Sequence, residues 1–490
     1  MHFLVRRAIL RPKPQRVWTV LATPLCLASL WGTTPVAAAE PSADSTGPSA
    51  SAEPLPELPP FTEPTSAAAA ASDDTPPQAD VPPSADASPS EPVIAVPMIA
   101  VPVSEKAADE KKAKTEVQFK GDPGSGMTAD FGEKFSMNLK GRFQARYQLD
   151  AAAPDDAGSR ALTQAVVIQT ARIHLGGHLL TRDLNYLIQL AVAARDYRDG
   201  ATSPVYDAFL NYKAHRDISL KLGQYFVPFD RLRTVKESAL QMADRPRPVG
   251  ELTLDRDVGL TAYSDHFLGD QSIVAYRLGA FGGGGTNVPT AKTPGVLLVG
   301  RLELRPLGAI DDDSEGDLTR RDKPALALGV AVAGNWNTNR LRSTTGTTFA
   351  AGVTDYFHAA ADVVFKWRGF AIEGELLMRQ ASTDTIVSVD PAVPNAATQS
   401  GRGWIVQASY VFETPLELVA RISKLYAHDG TDPVFVELVA RAGQELGGGV
   451  NYYVNGHKLK FQAHYLARMP GGFVFEQAEQ TAHLVLDVTM

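Results

Sequence analysis

Residues 221–257, KLGQYFVPFDRLRTVKESALQMADRPRPVGELTLDRD, hold the chain's densest mixture of groups able to handle a charged solute. After Pro228, six are basic (Arg231, Arg233, Lys236, Arg245, Arg247, Arg256) and six acidic (Asp230, Glu237, Asp244, Glu251, Asp255, Asp257). A guanidinium grips an oxyanion through two parallel N–H donors, whereas an ammonium acts as a mobile point charge. Arg231, Arg233 and Lys236 follow Pro228, where a strand must end because proline cannot donate to the ladder. These three are expected to face a solute, near the start of a short helix over residues 234–242. Arg245 and Arg247 are expected to pair with acids instead. The balance of charge leaves a second reading open, in which Asp230, Glu237 and Asp244 neutralise the loop's bases and stiffen it.

Bond-making chemistry finds no comparable support. His174, His178, His358, His464 and His483 fall on polar faces, but no nucleophile elbow, paired-carboxylate motif or metal-spaced cluster accompanies them. His174 and His178 share a strand face about 13 Å apart, too far to chelate one ion. The one cysteine, Cys26, lies in the leader, so no disulfide framework exists. A net charge of -8 gives no reason to expect nucleic acid. No cofactor is implied, and the expectation is that the chain is not an enzyme.

The elements that must position the charged loop are strands. Over residues 135–149 the odd positions read Phe, Met, Leu, Gly, Phe, Ala, Tyr, Leu and the even ones Ser, Asn, Lys, Arg, Gln, Arg, Gln. Such alternation over about fifteen residues far exceeds a soluble strand of about 5–6, and a tilted membrane strand needs about 9–11. Similar segments start near 135, 162, 183, 204, 217, 257, 271, 295, 325, 354, 369, 402, 416, 443, 457 and 481. Trp367-Arg368-Gly369 and Thr414-Pro415 read as tight turns, while residues 339–352 and 382–401 read as long tips. Mean hydropathy is near neutral, as alternation requires. The expected fold is all-β, a transmembrane antiparallel β-barrel of about 16 strands with the charged loop folded into its lumen. A soluble double sandwich is disfavoured by strand length and by polar faces bearing Lys, Arg and Glu. On the lumen parity lie Lys140, Arg142, Arg146, Arg172, Lys213, Lys221, Arg301, Arg305, Lys366, Arg421 and Lys460, offset by Glu303, Asp362, Glu373 and Glu375. Two readings of them stay open, an anion-attracting wall and generic charge that hydrates a pore.

Ahead of the barrel, residues 1–39 read as a signal peptide, with a basic start, an apolar centre over 17–31 and Ala37-Ala38-Ala39 before Glu40. Leu25 before Cys26 is too bulky for a lipoprotein signal. Residues 40–118 are an Ala/Pro/Ser-rich arm with a short charged segment, expected to stay extended and to tether or space. The barrel is expected over 119–490.

Residues 119–490 resemble the phosphate-selective porin O and P family of outer-membrane channels. The resemblance rests on Lys140–Phe143 (KGRF), residues 169–174 (QTARIH), residues 207–212 (DAFLNY), residues 222–229 (LGQYFVPF), the charged loop, and residues 256–259 (RDVG). It implies a sixteen-stranded, usually trimeric porin of the bacterial outer membrane, its loop over 228–251 folded into a channel where Arg and Lys draw small anions such as phosphate. Arg231, Arg233, Lys236, Lys140, Arg142, Arg146, Arg172 and Lys221 would then line the pore. The chain departs from the family in its charge-balanced loop, which weakens the case for phosphate over other small hydrophilic solutes, and in ending on Met490. The alternatives are a non-conducting barrel that anchors or displays the Pro-rich arm, and an outer-membrane hydrolase.

Overall fold

A computed structural model describes residues 117–197, 203–288, 295–310 and 314–490. The signal peptide over 1–39 and nearly all of the arm over 40–118 lie outside the described residues.

Sixteen antiparallel strands close into one barrel. They are β1 (Ser136–Ala151), β2 (Leu162–Leu179), β3 (Thr181–Ala191), β4 (Val205–His215), β5 (Ile218–Phe226), β6 (Arg256–Phe267), β7 (Val274–Phe281) and β8 (Val296–Leu304). The second half comprises β9 (Ala325–Thr338), β10 (Thr354–Trp367), β11 (Phe370–Ala381), β12 (Gly401–Val411), β13 (Leu416–Ala427), β14 (Gln444–Tyr453), β15 (Leu459–Met469) and β16 (Glu479–Thr489). Each pairs with its sequence neighbour, and β16 closes on β1 with Asp487 opposite Gln144 and Thr489 opposite Arg142. Every strand begins within three residues of its expected start.

Closure leaves no unpaired edge, which lipid would not tolerate. The outward positions form an apolar surface, with Leu376 60% and Leu484 57% exposed, whereas Lys460 and Arg379 on the inner face are 0% exposed. Aromatic side chains gather toward both ends of that surface: Trp367, Phe370, Tyr410 and Phe412 at one, Trp336, Phe357, Tyr426 and Tyr465 at the other. An even-stranded closed barrel with an apolar belt and aromatic girdles is the architecture of bacterial outer-membrane proteins, and membrane localisation follows from it.

One rim carries tight turns. At β10–β11, Arg368 (φ 50) and Gly369 (φ 89) both take the left-handed region that a two-residue hairpin of matching twist needs. The other rim carries the long loops, including residues 339–353, 382–400 and 428–443. The last of these holds a helix, Pro433–Ala442, that buries Phe435. Residues 305–324 break the rule, forming a long connection on the tight-turn rim between β8 and β9.

Before β1, strands Gln118–Asp122 and Gly126–Asp130 form a hairpin. Its second strand pairs with Ser136–Leu139 of β1, directly beyond the point where Met490 exchanges backbone hydrogen bonds with Gly141. The hairpin and β16 therefore occupy the same line of the wall, end to end.

A bulge corrects one expected face. Leu190 pairs with Val205 while Gln189 pairs with Asp207, so Tyr206 is the extra residue. Simple alternation puts Tyr206 outside; the bulge turns its ring inward, between the guanidinia of Arg172 (4.4 Å) and Arg256 (3.5 Å).

Candidate functional site

The charged connection between β5 and β6 enters the lumen and is built from three short pieces. Asp230 caps the first, α1 (Arg231–Thr234), by accepting from the Arg233 N–H. This replaces the helix expected over 234–242; only a single 3₁₀ turn, Glu237–Ala239, falls there. The second helix, α2 (Arg247–Leu252), carries Pro248 in its first turn, where a missing N–H costs nothing.

One wall holds the loop by apolar packing and buried charge. Phe229, Leu232, Val249, Leu252 and Leu254 pack on the inward Leu297, Val299, Ala331, Ala333, Ala360, Leu377, Ile405 and Leu425. Burying each larger side chain contributes about 1.5–3 kcal/mol, which fixes this half of the loop. Beside the apolar patch, Arg231 donates from Nε to Asp362 at 2.8 Å and pairs with Glu303. Arg301 also bonds Asp362 (2.6 Å) and donates to the Phe229 carbonyl at 3.1 Å. The Leu232 N–H donates to Glu375 at 3.1 Å. Burial is the leading effect on the Asp230 carboxyl and pushes it up, against its bonds from Thr253 and the Arg233 N–H.

The loop then crosses to the opposite wall. Glu237 lies 3.6 Å from Arg142 and 3.7 Å from Arg172, on β1 and β2. Burial alone would raise its carboxyl, but Arg172, Arg142, Arg245 and Arg195 outweigh that and hold it at about 2. Lys460 of β15 donates to the Leu240 carbonyl at 2.7 Å, and Asn451 of β14 to the Gln241 carbonyl at 2.9 Å. Asp244 meets Arg146 at 2.9 Å, and Arg421 of β13 donates to the Asp244 carbonyl at 2.7 Å. Arg245 turns back to the Leu232 and Val235 carbonyls. Glu237 and Asp244 thus engage arginines of the wall and Asp230 serves as a cap, while Asp255 pairs with Arg233 and Glu251 lies 3.6 Å from Arg247, as expected for Arg247, within the loop.

The long connection on the tight-turn rim reaches the same place from below. Glu315 accepts from the Gln241 N–H at 2.7 Å and from Gln407 at 2.9 Å. The Ser314 carbonyl accepts from Lys366 at 2.5 Å, and the Ser314 hydroxyl lies 2.9 Å from His457.

The eight residues expected to line a pore therefore occupy different settings. Arg231 is buried in the anchor cluster, and Arg233 pairs with Asp255 over the Phe226 ring. Lys236 is exposed on the crossing segment. Arg142, Arg146 and Arg172 form a basic wall, with Arg142 directly opposite Arg172 in register. Lys140 and Lys221 are half-buried on the same side; neither has a carboxylate within ion-pair distance among the described residues. Lys221 instead sits over the rings of Phe209 (3.8 Å) and Tyr225 (4.3 Å). Sequence reasoning passed over Arg256 as a wall residue. Bonded to Asp207 at 2.8 Å, it stacks between Tyr206 and Phe226, making a column Arg172–Tyr206–Arg256–Phe226–Arg233. The bulge at Tyr206, its missing piece, leaves no mark on the alternation.

No family model matches this chain, and no curated protein matches it. Among solved structures it is similar to the outer membrane channel DcaP of Acinetobacter baumannii (14% identity, TM-score 0.45, covering 73% of this chain and 98% of that one). It is also similar to OmpF of Salmonella typhi in complex with daunomycin (12%, 0.47, 72% and 98%) and to OccD3 of Pseudomonas aeruginosa (13%, 0.36, 75% and 94%). Likeness this distant identifies no solute and no partner.

Proposed function

We propose that the protein is an outer-membrane porin that passes small anions, carboxylates or phosphates, through a lumen narrowed by its own loop. The observation that carries this reading is the one-sided wall. On β1–β6, Arg142, Arg146, Arg172, Arg256, Lys140 and Lys221 outnumber the inward Asp207 and Asp257, whereas on β8–β11 Glu303, Asp362, Glu373 and Glu375 are met by Arg301, Lys366 and Arg379. A basic excess on one side of a low-dielectric tube draws anions along that side. Lys140 and Lys221, which have no carboxylate within ion-pair distance among the described residues, favour anions most directly. Phosphate selectivity in the manner of the O and P family, a trimer of barrels, and a tethering role for the arm over 40–118 after removal of the signal peptide belong to the same proposal.

The loop's engagement of walls on both sides favours a second reading, a closed barrel that anchors the arm. Planar-bilayer recording of the purified protein under a salt gradient separates the two. Anion-selective current reduced by added phosphate supports the porin. Cation selectivity overturns the anion reading, and absence of current under all conditions supports the anchor.

A further inference from the structure

Three carboxylates meet the Arg142–Arg172 pair, and one of them is held unlike the others. Asp487 takes two hydrogen bonds from Arg142, at 3.0 and 2.6 Å, and a third from Gln144 at 3.0 Å. Asp196 is hydrogen-bonded to Arg172 and also accepts from the Ala193 N–H at 3.1 Å. Asp487 belongs to β16 and Asp196 to the turn Ala194–Tyr197 that follows β3. Glu237 comes from the loop and makes no hydrogen bond to either guanidinium, lying at 3.6 and 3.7 Å. Among the described residues its one side-chain hydrogen-bond contact is with the Thr170 hydroxyl, at 3.5 Å.

Meanwhile Arg172, 3% exposed, keeps a buried Nε–H with no hydrogen-bond partner among the described residues. A charge-assisted N–H···O bond closes to about 2.7–2.9 Å. Glu237 is therefore attracted to the pair but badly seated on it. The segment that carries it is a single 3₁₀ turn outside the apolar anchor, and 26% of its side chain is exposed.

We infer that the Arg142–Arg172 pair is a binding site for the oxyanion of a passing solute, a carboxylate or a phosphate, and that Glu237 fills it as a tethered substitute in the resting barrel. This rests on the anion-porin reading. A free oxyanion can rotate to hydrogen-bond both guanidinia, which the tether denies Glu237. Arg195 and Arg245 also act on Glu237, so expelling it removes a negative charge from among these guanidinia that an entering anion can replace. Solute binding would displace the turn at 237–239 and leave α1 and α2 in place, so that the solute loosens the obstruction in its own path.

The test is calorimetric titration of full-length, detergent-purified wild type, Glu237→Gln and Glu237→Gln/Arg172→Met with inorganic phosphate and with succinate. The expected result is about tenfold tighter binding of at least one anion by Glu237→Gln, lost again in the double variant. The anion that gains identifies the solute chemistry. Equal affinity in wild type and Glu237→Gln, or tight binding that persists without Arg172, overturns the inference. If Glu237→Gln fails to give a folded, heat-modifiable barrel, Glu237→Asp, which withdraws the carboxylate by one methylene, should also bind more tightly. Because binding is read without current, the porin reading stands or falls separately. A wild type that conducts anions while Glu237→Gln binds no tighter sinks this inference alone. Tighter binding in barrels that never conduct keeps the anion site at Arg142 and Arg172 but sinks the porin reading, and with it the passage of the solute.

Discussion

The backbone N–H of Gln241 donates a 2.7 Å hydrogen bond to the carboxylate of Glu315, joining a loop from one rim to a connection from the other. Glu315 is buried, and burial, the leading effect, raises its carboxyl above the usual 4.5 despite the Gln241 and Gln407 donors. The folded protein therefore holds this proton more tightly than the unfolded chain. Stability falls as pH rises from the unfolded value through the raised one, then levels. Glu315→Gln keeps an acceptor for Gln241 and removes the ionisation. It should leave thermal stability unchanged in acid and raise it at neutral pH, flattening the pH profile of Tm. A variant less stable than wild type at neutral pH would show that the charge itself is needed.

Glu237 has the opposite sign. Its carboxyl, held at about 2, contributes stability that is fully present above the unfolded value and is lost as pH falls toward 2. The loop's hold on Arg142 and Arg172 should thus be constant from about pH 5 to pH 8, so ion selectivity measured across that range should not change on its account. A selectivity change near neutrality that disappears in Glu237→Gln would contradict this.

Arg231 ties α1 to Glu303 and Asp362 in a buried cluster. Arg231→Met leaves those carboxylates short of a partner, and breaking a buried pair costs about 3–5 kcal/mol. The expected outcome is a lower Tm together with noisier, larger single-channel currents as the loop loosens. Unchanged currents and Tm would remove Arg231 from the anchor.

Leu252 is fully buried between the loop and the wall. Leu252→Ala should cost about 2–5 kcal/mol of loop anchorage, depending on how the cavity collapses. Strand pairing is untouched, so proteolysis within 227–255 should accelerate while the barrel stays resistant. Uniform destabilisation of barrel and loop together would mean the loop is not a separate unit.

Lys140 and Lys221 face the lumen with no carboxylate at ion-pair distance among the described residues. Lys140→Glu and Lys221→Glu should each lower the anion-to-cation permeability ratio by about twofold or more, because like charge in a narrow path acts over several ångströms. The reversal potential reads this directly, and no shift in either variant would place the path elsewhere.

The strands were legible because lipid outside and charge inside write the same two-residue period into every segment. The apolar anchor was legible in part: Val296-Leu297-Leu298-Val299 and the run through Ala331 and Ala333 break alternation as strands covered on both faces do. Read as lipid-facing residues alone, they hid the inner patch. Long loops gave no such period. Whether Arg231 or Arg172 meets solute or carboxylate depends on partners such as Asp362 and Asp196, which contribute charge to the sequence but no spacing. The entry of residues 314–317 was invisible for the same reason, since Glu315 is defined by a backbone N–H far along the chain.

The end-to-end placement of β16 and the N-terminal hairpin bears on how the cylinder is made. The line of wall against β1 is composed of two pieces far apart in the sequence, met where Met490 bonds Gly141. While the hairpin can dock on β1 as soon as both have emerged, the remaining length of β1 waits for the final eleven-residue strand. Four residues of the first strand, 136–139, are thus paired by the hairpin and ten, 142–151, by the last strand, which makes the seam beside Gly141 the joint that closes the cylinder.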